Sequence, residues 1–134
     1  MLTGSCLCGA VKYQAEGPLS LVARCHCEQC RKQSGSEFAS NGSVPAAGFR
    51  VLQGEDLLKQ FEWSPGEARV FCSQCGSPIF KRSAKNPDAV RLRLGCLDVE
   101  IDEKPALHVF VAEKPAWSEI TDDLPRYQHT IVER

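Results

Sequence analysis

Eight cysteines in 134 residues fall into four groups, and their spacing limits what this chain can fold into more than any other feature. Cys6-Leu7-Cys8-Gly9 opens the chain. Cys25-His26-Cys27-Glu28-Gln29-Cys30 follows, then Cys72-Ser73-Gln74-Cys75-Gly76, and Cys96 stands alone. A Cys-x-x-Cys pair is a common zinc half-site, because a tight turn brings two thiolates to one tetrahedral edge. A glycine after the second cysteine allows a positive φ that lets backbone amides face the sulfurs. Cys8-Gly9 and Cys75-Gly76 share that feature, so Cys6 and Cys8 pair with Cys72 and Cys75 in a closed four-thiolate zinc site.

That pairing leaves Cys25, Cys27 and Cys30 within six residues. Three thiolates from one loop fill three corners of a tetrahedron, and a catalytic zinc leaves its fourth corner to water or substrate. Three readings compete. The first is a disulfide framework. The second is a single zinc ribbon from Cys27, Cys30, Cys72 and Cys75. The third is a second structural site completed by Cys96, His108, His26 or Glu28. A tight Cys-x-Cys spacing argues against disulfides. So does an N-terminus without a charged leader or apolar signal core, which points to a cytoplasmic location with reduced thiols.

Sixteen basic and seventeen acidic residues give a net charge of −1, which speaks against nucleic acid as a partner held by bulk electrostatics. No run reaches the length of a membrane span. Alternating apolar runs predict strands over 10–15, 19–24, 37–40, 49–52, 57–63, 68–71, 79–82, 89–94 and 107–112. Asn41-Gly42, Ser64-Pro65-Gly66, Asn86-Pro87-Asp88 and Lys104-Pro105 supply turn chemistry between them. The expectation is a single, mainly β domain over 1–134, a sandwich or folded sheet, with one short helix near Cys27–Gln33. A polar C-terminal strap over 119–134, anchored by Ile120, Leu124 and Tyr127, lies over the body and frays at its end.

Alternation points the His26 side chain away from Cys25 and Cys27, either behind the ligands or at the surface. His108, in an apolar strand, reads as a satisfied core histidine and His129 as solvated. Trp63 and Phe38 read as core aromatics before pocket walls.

The order Cys-x-Cys, Cys-His-Cys-x-x-Cys-Arg-Lys and Cys-x-x-Cys-Gly-Ser resembles the glutathione-dependent formaldehyde-activating enzyme family, whose domain is shared with centromere protein V. Ser34-Gly35, Gly95-x-Leu97-Asp98, His108-Val109-Phe110-Val111 and Lys114-x-x-Trp117 extend the resemblance over roughly residues 3 to 127. It implies an Mss4-like folded β-sheet stapled by two zinc ions. The structural ion would sit on Cys6, Cys8, Cys72 and Cys75, and the catalytic one on Cys25, Cys27 and Cys30. The implied reaction condenses glutathione, the co-substrate, with formaldehyde, a carbon–sulfur lyase run in reverse. Small-molecule thiol and aldehyde are then the partners of a monomer or homodimer. Arg31 and Lys32 are placed to receive the glutathione carboxylates. Cys96 stands where the family commonly carries Thr, which raises a fourth ligand or an inert buried thiol as its role. The alternative is a non-catalytic zinc module of the same fold that binds a protein or thiol ligand.

Overall fold

Strand-length runs closed by turn residues become ten strands around one short helix in the computed structural model, which describes residues 1–131. The strands are β1 (Leu2–Ser5), β2 (Lys12–Ala15), β3 (Ser20–Cys25), β4 (Ala39–Pro45), β5 (Phe49–Gln53), β6 (Leu58–Ser64), β7 (Glu67–Cys72), β8 (Pro78–Ser83), β9 (Ala89–Arg93) and β10 (Leu107–Val109). Helix α1 (Glu28–Ser34) lies between β3 and β4. The mainly β, Mss4-like architecture is thus the observed one. A three-stranded sheet, β1-β2-β5, packs beside a seven-stranded sheet ordered β10-β3-β4-β9-β8-β7-β6. All named pairs are antiparallel except β10 with β3. No helix among the described residues is long and apolar enough to cross a membrane.

Two-residue periodicity gives the large sheet two different faces. Val70, Phe80 and Leu92 are cross-strand neighbours and join the main core with Tyr13, Val11 and Val44. One residue along, Arg69, Lys81 and Arg91 are also cross-strand neighbours, so they line up on the opposite face. Helix α1 covers that face through the fully buried Cys30. A smaller core of Cys25, Cys30 and Ala39, flanked by Cys27, Val109 and Phe110, forms beneath it.

Asn41-Gly42 is not a turn. It sits inside β4, between β3 and β9, with Asn41 buried and paired to Arg93. A Cβ on Gly42 would come within 2.9 Å of the Leu19 side chain, so the glycine serves close packing. The predicted strand over 107–112 stops early. Phe110 enters the left-handed region at φ 57°, and the chain turns into a 3-10 turn over Val111–Glu113. Strand β1 was missed, because four residues containing Gly4 carry little periodic signal; Gly4 lies against the Tyr13 ring.

The C-terminal segment docks beside β10. His108 N–H donates to the Pro125 carbonyl, Tyr127 N–H to the His108 carbonyl, and Phe110 N–H to the His129 carbonyl. Ile120, Leu124 and Tyr127 are half-buried there, while the His129 side chain is exposed. The end where fraying was expected, 132–134, lies outside the described residues.

Candidate metal centre

The hairpin between β1 and β2 presents Cys6 and Cys8, and the hairpin between β7 and β8 presents Cys72 and Cys75. Both glycines take the positive φ their positions require, 79° at Gly9 and 82° at Gly76. Each turn closes on itself, with Gly9 N–H on the Cys6 carbonyl and Gly76 N–H on the Cys72 carbonyl. A Leu7 N–H bond to Ser77 Oγ at 2.9 Å joins the two knuckles. The four sulfurs lie within 4.8 Å of one another. Cys6 and Cys8 Sγ are 3.5 Å apart, and Cys8 and Cys72 Sγ are 3.9 Å apart. Sulfurs at tetrahedral corners about 2.3 Å from zinc would be about 3.8 Å apart, so this donor set fits the ion. Hydrogen bonds from the Ser77 hydroxyl and amide push the Cys75 thiol down to about 5, toward the ligating thiolate. The four-cysteine group joins the small sheet to the large one.

The second group is built by the join of β3 and α1. Cys25 ends the strand, Cys27 is the N-cap, and Cys30 lies in the first turn. Cys27 Sγ accepts from the Cys30 amide at 3.3 Å, a capping bond that fixes the loop. These three sulfurs also lie within 4.8 Å of one another. Hydrogen bonds from Cys25 and Cys27, then the nearby Lys81 and Arg93, push the Cys30 thiol far down. Arg69 aims both terminal nitrogens at Cys30 Sγ, each at 3.7 Å. Three thiols, one of them strongly acidified, fit a divalent ion with one corner left open.

Cys96 does not join them. It packs with the main core and donates to the Pro78 carbonyl at 3.3 Å, and burial raises its thiol. Its charged neighbours are Cys6, Asp98, Cys75 and Arg93, and the two cysteines among them place it beside the four-cysteine group.

Arg31 and Lys32 follow Cys30 but are partly committed. Arg31 donates to the carbonyls of His26 (3.4 Å) and Glu113 (3.3 Å). Lys32 pairs with Glu28 at 3.4 Å on the exposed side of α1. Both line a hollow with Gly35, Ser36, Glu37 and Trp117. Lys32 also borders a cavity of about 500 Å³, walled by Gln29, Gln33, Phe61, Phe71 and Gly76, with Arg69 in its lining. Trp63 and Phe38 are half-buried and line neither. Each carries a guanidinium on its ring, Arg69 at 4.4 Å and Arg24 at 5.1 Å.

Sequence reasoning missed the cations Arg69, Lys81, Arg91 and Arg93. None of the four forms an ion pair with a carboxylate among the described residues. Their signal was present as alternation, in Ala68-Arg69-Val70 and Arg91-Leu92-Arg93, where each arginine must face away from the core.

His26 is not a surface residue. It is 1% exposed, and its Nε2 lies 2.8 Å from Nδ1 of the equally buried His108. Nε2 of His108 in turn meets the Asp122 carboxylate at 3.0 Å. A carboxylate only accepts, so His108 Nε2 carries a proton and its Nδ1 is free to accept from His26. Burial pushes His26 down to about 4, which keeps the ring neutral at physiological pH. This chain ties the cysteine loop to the C-terminal segment. His108→Leu deletes both bonds and strands a buried imidazole nitrogen, so unfolding in urea should show a loss of about 2 kcal/mol. An unchanged midpoint would show that the pair does not hold the loop.

The profile described as glutathione-dependent formaldehyde-activating enzyme matches residues 1–113. A Halomonas elongata protein bearing that family's name is 30% identical over 128 residues, covering 90% of this chain and 81% of the relative. An Aspergillus flavus protein of the same name is 25% identical over 120 residues, and this chain spans only 54% of its length. The fold matches a crystal structure of a Rhodobacter sphaeroides protein at a TM-score of 0.64 and 24% identity, covering 77% of this chain and 97% of that one. With a match over most of its length and seven of its eight cysteines gathered in two groups, the chain belongs to the glutathione-dependent formaldehyde-activating enzyme family.

Proposed function

We propose that this protein is a zinc enzyme of thiol–carbonyl chemistry, condensing glutathione or a related thiol with formaldehyde or a small aldehyde. In that direction it acts as a carbon–sulfur lyase run in reverse. The observation that carries the reading is the gathering of Cys25, Cys27 and Cys30 apart from the complete four-cysteine group. A zinc ion held there would keep an incoming thiol as its thiolate, ready to attack an aldehyde carbon. Cys25, Cys27 and Cys30 would hold the ion, and Arg69 would steady the charge on Cys30. A thiolate-rich shell weakens Lewis acidity, which favours delivery of the thiol over activation of the aldehyde. The cavity of about 500 Å³ beside Arg69 has the volume of a small-molecule site. Chemistry that needs seven reduced cysteines also suits the cytoplasm.

Exchange spectroscopy of glutathione with formaldehyde tests the proposal. The wild-type protein should accelerate exchange, and Cys27→Ala should lose at least about a hundredfold of that acceleration, as loss of a ligand costs no less than loss of a group supporting one. Acceleration that survives Cys27→Ala would move the chemistry elsewhere.

A further inference from the structure

Arg69 and Arg93 are 4% and 5% exposed, and both point at one neutral atom. Gln33 Oε1 accepts from Arg69 at 3.0 Å and from Arg93 at 2.6 Å. Arg69 adds a long bond to Gln29 Oε1 at 3.4 Å, but neutral amide oxygens leave two guanidiniums under-satisfied, since each fork is shaped for a carboxylate. The orphaned donors agree: Arg69 Nε and Arg93 NH1 are shut from solvent with no hydrogen-bond partner. Like charges on neighbouring strands repel, and the Arg69–Lys81–Arg91 row adds to that strain. The cysteine trio only partly offsets it. Three thiolates around a divalent ion leave one negative charge beside four cations.

We propose that Arg69 and Arg93 form the seat of a substrate carboxylate, with the Gln33 amide oxygen standing where a carboxylate oxygen will bind. This rests on the reading of the trio as a thiol site and assigns the residues that would hold the carboxylate of its thiol substrate. Arg69 connects the two halves. One terminal nitrogen of its guanidinium donates to both Cys30 Sγ and Gln33 Oε1, the other faces Cys30 Sγ as well, and the side chain lines the cavity. The trio and the seat are therefore one guanidinium apart, a span that a thiol carrying its own carboxylate can bridge.

The test is calorimetric titration of the zinc-loaded full chain with two probes. S-methylglutathione keeps both carboxylates and offers no thiol; cysteamine offers a thiol and no carboxylate. Gln33→Glu fills the seat with a tethered carboxylate. It should weaken S-methylglutathione binding by about tenfold or more and leave cysteamine binding unchanged. Gln33→Ala opens the seat and should bind S-methylglutathione as tightly as wild type or more so. The urea midpoint of Gln33→Glu should rise, because its carboxylate neutralises both arginines. The proposal is overturned if wild type does not bind S-methylglutathione, if Gln33→Glu binds it normally, if Gln33→Ala loses as much as Gln33→Glu, or if the Gln33→Glu midpoint falls. The S-methylglutathione pattern with no binding of cysteamine would uphold the seat while overturning the thiol site.

Discussion

Cys72→Ala should abolish the cooperative unfolding transition of this protein, and Cys96→Ala should barely move it. Both are buried or half-buried thiols in the same core, so packing alone predicts similar losses. Their settings differ. Cys72 is fully buried, ends β7 and belongs to the group that joins the three-stranded sheet to the seven-stranded one. Its backbone amide closes on the Ser77 carbonyl, so the ligand and the turn that supplies Cys75 are one unit. Zinc in a closed thiolate site contributes on the order of 10 kcal/mol or more to folding, as much as the whole net stability of a domain this size. Beyond that group, the small sheet is tied by an isolated bridge of Gly4 with Leu97, the Asp98 N–H on the Thr3 carbonyl, the Leu7 N–H on Ser77 Oγ and the shared apolar core. Removing one ligand should therefore release the ion and loosen β1, β2 and β5 together. Cys96 bonds only the Pro78 carbonyl, and truncating it should cost about 1 kcal/mol. Circular dichroism melting with zinc analysis reads both. A Cys72→Ala protein that melts within a few degrees of wild type would mean that the two sheets hold without the metal.

How far the sequence foretold this arrangement depends on whether a feature is local. The four-cysteine group was legible because each half-site is made within a few residues and marked by its own glycine, and the trio because it lies within six residues. Most strands were legible for the same reason, through alternation bounded by Ser64-Pro65-Gly66 or Asn86-Pro87-Asp88. Asn41-Gly42 misled because turn chemistry and close packing ask for the same residues, and only the neighbouring Leu19 and Arg93 decide between them. The cationic face was hidden for a different reason. Arg69, Lys81 and Arg91 are 12 and 10 residues apart in sequence and meet only through the register of β7, β8 and β9. His26 and His108 meet because β10 joins β3 in parallel, with His108 opposite Arg24. A parallel pairing across more than 80 residues leaves no local trace.

Within the cysteine trio, Cys30→Ala should be much more damaging to the fold than Cys27→Ala, although both should abolish activity. Either variant would lose the proposed metal, so the difference lies in what each sulfur does for the protein. Cys27 is half-buried, and its side chain caps α1; losing that bond costs about 1 kcal/mol. Cys30 is fully buried, contacted by Arg69, and its thiol is pushed toward the thiolate by its cysteine neighbours and by the facing Lys81 and Arg93. Deleting it leaves buried cations facing one another without an anion, a situation that costs about 3–5 kcal/mol when one partner of a buried pair is removed. Chelator-treated proteins separate this electrostatic part from the metal's share, because every variant then starts from the same metal-free state. Urea unfolding should place Cys30→Ala well below Cys27→Ala. The same argument predicts a rescue. Arg69→Met removes the cation nearest Cys30, so adding Cys30→Ala to it should cost less than in the wild-type background, and the cycle should show coupling of about 1 kcal/mol or more. Equal losses in both single variants, with no coupling to Arg69, would reduce the cationic face to a surface that happens to lie behind the trio.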